Sequence, residues 1–304
     1  MAFTGTPSVT SNYAGAAFGK YISAALKEAK SLGGLTVLEN IKYKENIRKM
    51  AGASLVADAT CDFADAGTLT LTEAVLTPKN LQINVDLCKG QLLSAWAAEE
   101  MKAGSWNRTA PTFDEYVLAY FGEIIADAVE GSVWDGADAT AGEFEGFQTG
   151  TTGAFAVNGN VVSSSATGAY TAANIIVNLQ QLVADIPANV YGREDLRIYM
   201  NMKTYRFYIG AISTLGYVNA YNMNDTYEPV FEGIKIHPCP GMPDNQMCAA
   251  ETSNLFFGTD LLSDETNIKA LDMSELDGSD NLRVVAKFSG GVQVGMGADV
   301  VNQA

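Results

Sequence analysis

Hydrophobic and polar positions follow three patterns along this 304-residue chain. In the first, apolar residues recur every three or four positions. Phe18, Ile22, Ala25, Leu26 and Ala29 do so between 16 and 32, with lysines on the other side and Gly33 and Gly34 closing the run, which predicts an amphipathic helix. A longer run covers 112–133, where Phe113, Tyr116, Val117, Tyr120, Phe121, Ile124, Ile125, Ala128 and Val129 form one broad apolar face. Thr112 and Glu115 stand at capping-box spacing behind Pro111, and Gly131 with the Trp134-Asp135-Gly136 turn marks its end. Shorter helices are predicted at 91–101, 172–185 and about 203–212. In the second pattern apolar and polar residues alternate: 68–86 reads as paired strands or one long bent strand broken by Pro78, and 196–201, 232–243 and 254–296 read as further strands. The third is aperiodic and covers 1–15, 35–66, the glycine, threonine and serine-rich stretch 136–169, and the aromatic stretch 213–231. Together they predict an α+β fold with loops at contact surfaces.

Charge changes the picture at one place. Residues 1–50 hold seven basic residues, Lys20, Lys27, Lys30, Lys42, Lys44, Arg48 and Lys49, against three acidic ones. Their net charge is +4 in a chain of −16, so the other 254 residues carry −20. A basic segment on an acidic body reads either as an arm lying on an acidic surface, its own or a neighbour's, or as a solvated helix face. No apolar run reaches the roughly 18 to 20 residues that span a bilayer, and no basic leader precedes a hydrophobic block, so a soluble, cytoplasmically made protein without membrane association is expected.

Candidate chemistry is sparse. The one imidazole, His237, would have to serve any Ser-His-Asp or Cys-His site, yet it stands between Ile236 and Pro238 at a predicted strand end, where a hydrogen-bonded structural histidine is the simpler reading. Cys61, Cys88, Cys239 and Cys248 form no CxxC pair, and free, mostly buried thiols are expected. Acidic pairs such as Glu99–Glu100 arise by chance among 35 acidic residues, and no carboxylate has the apolar and aromatic flanks that would mark an acid of raised pKa. The glycines at 291–299 are not followed by a helix that could hold a pyrophosphate, and the 272–280 stretch puts Leu276 at a would-be calcium ligand position, so Asp277–Gly278 reads as a hairpin turn. Sequence-specific nucleic-acid binding is not expected from an acidic body without an aromatic and arginine platform. No enzyme, cofactor or metal is predicted.

The order of elements then carries the argument. A basic N-terminal segment, a β-rich extension (GTLTLTEAVLTPKNLQINVDLC, 67–88), a long helix ending in EGSVWDG, a loop-rich region with RIYMNMKTY at its centre, and the closing strands NLFFGTDLL and NLRVVAKFSGGVQVGM follow one another along the chain. In this order the chain resembles the major capsid proteins of tailed double-stranded DNA bacteriophages, which have the Hong Kong 97 type fold. The resemblance implies an N-terminal arm over 1–44, an extended loop over 45–80, a peripheral domain with a spine helix over 81–144, an axial domain over 145–235, and closing strands over 236–304 that return to the peripheral domain. It makes the seven basic residues an assembly arm and Phe113, Val117, Tyr120, Phe121, Ile124, Ile125 and Val129 the core of the spine helix. It implies self-association through pentamers and hexamers into an icosahedral virion shell around phage DNA, assembled in the bacterial cytoplasm with portal and accessory proteins. The Lys and Glu-rich scaffolding segment that opens many members is missing, and Met1 reads as a native start, so a separate scaffold, or none, is expected. An encapsulin-like compartment and a tail or surface structural protein are the alternative readings.

Overall fold

The computed structural model describes residues 30–53, 55–59, 61, 67–88, 111–158, 160–165, 169–214, 229–260, 268–273, 278–279 and 281–303. The expected helix at 91–101, most of the one at 16–32, most of the aromatic loop at 213–231 and Asp277 lie outside these residues.

A 3₁₀ turn at Lys30–Gly34 leads into β1 (Thr36–Leu38), β2 (Glu45–Ala53), β3 (Thr68–Leu76) and β4 (Lys79–Cys88). The expected break at Pro78 separates β3 from β4, and the two do not pair with each other. β3 pairs antiparallel with β2, Glu45 opposite Leu76 and Ala53 opposite Thr68, as a two-stranded ribbon. β4 instead lies antiparallel to β12 (Asn281–Val294) from Lys79 opposite Gly290 to Cys88 opposite Asn281. The period-two pattern in β4 has a physical cause: Leu81 is buried and Ile83, Val85 and Leu87 half-buried on one face, with Asn80, Gln82, Asn84 and Asp86 exposed on the other. β12 is the axis of this first sheet, joined on its other side by β11 (Ile268–Asp272) and β10 (Leu255–Gly258), with β1 parallel to β10.

Across that sheet lies α1 (Pro111–Asp135), which runs through Gly131 rather than stopping there. Its buried side chains Phe121, Ile125, Val129 and Val133 recur every four residues. Phe121, with half-buried Ile124, packs on Leu282 and Val284 of β12. Ile125, Val129, Val133 and Trp134 join Leu81, Phe257 and Phe288 in the largest core.

The chain then passes through α2 (Ala154–Asn158), β5 (Val162–Ser163), α3 (Ile175–Ala184), β6 (Leu196–Asn201), α4 (Met202–Thr214), β7 (Val230–Phe231), β8 (Ile234–Cys239) and β9 (Met247–Glu251), and ends in β13 (Val301–Gln303). These strands make a six-stranded sheet in the order β5-β13-β9-β6-β8-β7, with β6 and β8 parallel on either side of the α4 crossover. One face of this second sheet, Ile198, Met200, Ile236, Met247 and Ala249, packs under α3 and α4. The opposite face, Tyr199, Cys239, Cys248 and Ala250, enters the core of the first sheet. The return to the first sheet expected at 236 is therefore corrected: β8 and β9 stay in the second sheet, the chain crosses at β10, and β13 comes back. Reading the boundary from sequence fails here because every residue of β9 is buried, so the strand carries no alternation to show which sheet it joins.

Candidate assembly surfaces and the joint behind them

The β2–β3 ribbon has almost no core of its own. Seven of the nine residues of β3, Thr68 to Glu73 and Val75, are exposed, and only Ala74 and Leu76 at its base are buried. In the register Met50 stands opposite Leu71, Gly52 opposite Leu69, and Asn46 opposite Val75, so these side chains share one face. Leu55 folds back over Gly52 towards Leu69. Met50, Leu55, Leu69 and Leu71 thus form an exposed apolar patch, with Leu71 at 69% exposure, and exposed Val75 stands on the same face beyond the Arg48–Glu73 pair. A ribbon of two strands is marginal on its own in water, and an apolar face on it is an open surface.

The basic residues expected to form an arm are spread along extended chain. Lys20 and Lys27 lie outside the described residues. Lys30 opens the 3₁₀ turn. Lys42 binds Asp260 of its own chain at 2.5 Å, Lys44 lies 5.3 Å from the ring centre of Tyr43, and Arg48 stands across the ribbon from Glu73. Burial lowers the pKa of Lys49. Lys42 is thus paired with a carboxylate of its own chain, and residues 36–38 of the expected arm are a strand of the first sheet. Of the spine-helix set, Phe121, Ile125 and Val129 are buried and Ile124 half-buried, while Phe113, Val117 and Tyr120 lie on α1 with side chains outside the described set.

Between α1 and the second sheet is a buried polar joint that sequence reasoning missed. Glu130 is fully buried on α1. Its Oε2 accepts the Ser31 backbone N–H at 3.0 Å, and its Oε1 accepts the Ser31 hydroxyl at 2.6 Å and the Gly241 N–H at 3.0 Å. Trp134 Nε1 donates to Ser31 Oγ at 2.6 Å, so tryptophan, serine and glutamate form one donor chain. Tyr199 donates its hydroxyl to the Gly34 carbonyl at 2.5 Å. His237 Nε2 lies 2.9 Å from the Lys30 carbonyl, which can only accept and so fixes the proton on Nε2. The expected structural role of His237 is what the structure shows, with the Tyr199 ring edge-on at 5.7 Å. Burial lowers its pKa from 6.5, against an opposing contribution from the Lys30 carbonyl. The reading that no acid stands out as one of raised pKa is corrected at Glu251 of β9, whose pKa burial raises, and Glu130 is a second buried carboxylate. The signal was its place on the apolar face of α1, directly after Val129 and one turn before Trp134.

All four cysteines are free thiols, two of them buried as expected and two, Cys61 and Cys88, exposed. Cys239 and Cys248 are fully buried, which pushes both well above the ordinary thiol range. They stand opposite Asn201 and Tyr199 on the two strands flanking β6, so two strand spacings, about 10 Å, separate them and preclude a disulfide. A groove of about 550 Å³ between residues 191–196 and 232–235 is lined by Arg193, Glu194, Glu232 and Lys235 and contains no histidine, cysteine or serine. Among the described residues no three His, Cys, Asp or Glu side chains gather as a metal site, and no helix is long and apolar enough to cross a membrane.

A long helix across a β12-centred sheet, a second sheet sharing its core, and an exposed ribbon define a class: this is the α+β capsid fold of Hong Kong 97 type. The expected likeness to phage major capsid proteins is borne out at the level of fold. The capsid of Myoviridae phage XM1 matches with a TM-score of 0.58 at 15% identity, over 94% of this chain and 94% of that one. The capsid of an empty GTA particle matches with a TM-score of 0.58 at 14% identity, over 93% and 91%. A structure from Mycobacterium phage Adephagia gives a TM-score of 0.58 at 12% identity, over 93% and 91%. No family model and no curated protein matches the sequence.

Proposed function

We propose that this chain is a major capsid protein whose copies assemble through pentamers and hexamers into a closed icosahedral shell around phage double-stranded DNA. Its role in this reading is structural rather than enzymatic. The observation that carries the reading is the β2–β3 ribbon, an apolar face built on a scaffold that cannot bury it. In a protein with this fold the occupant we assign is a neighbouring copy. Fully burying one Leu, Met or Val side chain contributes about 1.5 to 3 kcal/mol, so five of them outweigh the ordering of the ribbon only when a partner supplies the other wall. Each contact in a shell can be modest, because a subunit held by several neighbours is bound with avidity. Head-to-tail contacts that close into rings are the symmetry such shells use.

In this reading residues 1–44 reach over acidic neighbours, 45–80 are the extended loop, 81–144 with the closing strands form a peripheral domain, and 145–253 form an axial domain. Lys20, Lys27, Lys30, Lys44, Arg48 and Lys49 supply the arm's positive charge, which offsets repulsion among bodies of net negative charge. The acidic body keeps the packaged DNA from adhering. Scaffold, portal and accessory capsid proteins are the further partners, and the host cytoplasm is the place of assembly. The test is negative-stain electron microscopy with light scattering on the chain expressed alone and with its neighbouring phage genes. Closed shells or flat five- and six-fold rings support the reading; monomers under both conditions overturn it.

A further inference from the structure

We propose that Glu130 is an anchor that clamps the N-terminal segment into the joint between the two sheets, and that its hold on Ser31 is coupled to the position of the Gly241 turn. The shell reading assigns no role to this group. Ser31 is fully buried, which a serine tolerates only with its hydroxyl and amide both engaged. Both are engaged by Glu130, and the hydroxyl also receives the Trp134 N–H. Both lone pairs of Oε1 are engaged in doing so, one by Ser31 from the N-terminal segment and one by Gly241 from the turn after β8. That shared oxygen is the coupling: displacing one donor changes what the other meets.

The surroundings leave the segment no alternative seat. A Cβ on residue 241 would overlap the Glu130 carbonyl, and a Cβ on residue 34 would come within 2.8 Å of the Tyr199 ring and 2.9 Å of the His237 ring. Tyr199 and His237 hold the carbonyls of Gly34 and Lys30 from the second sheet while Glu130 and Trp134 hold Ser31 from α1. Five residues at 30–34 are thus gripped from both bodies, and the 29 residues before them depart from this point. A pull on those residues reaches the Gly241 turn and β8 through one carboxyl oxygen.

The test is hydrogen exchange on the unassembled full-length chain carrying Ser31→Ala, so it is read independently of shell formation. Exchange at the amides of residues 31 and 241 is expected to rise about tenfold, with the β2–β3 ribbon unchanged. Exchange at 241 within about twofold of the parent chain overturns the coupling. Should Ser31→Ala not fold, Trp134→Phe removes only the indole donor while keeping an aromatic core residue; faster exchange at both amides supports the proposal, and no change at either overturns it.

Discussion

The joint at Ser31–Glu130 and the β2–β3 ribbon begin fewer than fifteen residues apart in the chain and are opposites in physical terms. In the joint every donor has its acceptor inside one subunit, two glycines are held to their size by close neighbours, and the polar groups are dry. In the ribbon the ladder joins two strands, with Gln293 of β12 donating to the Val75 carbonyl near its base, and the apolar face meets solvent. The first region is complete within one copy and fixes its shape. The second is incomplete and requires another copy. Substitutions in the joint should therefore act on folding, and substitutions on the ribbon on assembly alone.

That division can be broken at several points. The largest effect is expected from Ile125→Asp, which places an unpaired carboxylate in the main core beside α1; soluble protein should be lost, and a normal thermal melt would show that α1 is not the core helix. Glu130→Ala should come next, because it strands the Ser31 and Gly241 amides and the Ser31 hydroxyl, at a cost of roughly 3 kcal/mol read as a fall in thermal midpoint. Leu71→Glu should change the stability of the single chain by no more than about 0.5 kcal/mol yet abolish large assemblies in sedimentation; full assembly would sink the ribbon's role.

The smallest effect is expected from pH. Burial favours neutral His237, so its folded pKa lies below the unfolded value of about 6.5. Its contribution is complete above that value and is lost as the pH falls from about 6.5 towards the folded pKa. His237→Gln should flatten this part of the melting profile relative to the parent chain; parallel profiles would show that the histidine does not titrate on unfolding.

Much of the first sheet and of α1 was legible, since Phe121, Ile125 and Val129 on the helix and Leu81 to Leu87 on β4 face a core with regular period. β2 was not, because among its described side chains only Ile47 and Lys49 on one face are half-buried and one of the two is a lysine, so the burial prints no apolar period on its sequence. The joint was illegible for another reason. Ser31 and Glu130 are 99 positions apart, and the pairing that makes a buried glutamate tolerable is visible only in three dimensions. The contrast also revises how an arm deletion should be cut. Removing 1–32 takes Ser31 away and injures the joint, whereas removing 1–29 leaves the anchor and tests the arm by itself.

The central claim is that the ribbon is finished by a neighbouring copy. Hydrogen exchange of the ribbon amides, compared between closed shells and dissociated subunits, tests it most directly. Strong protection of 45–53 and 68–76 on assembly, with the joint at Ser31 and Gly241 protected in both states, is the expected result. Shells that form while the ribbon exchanges as freely as in the single chain would contradict it.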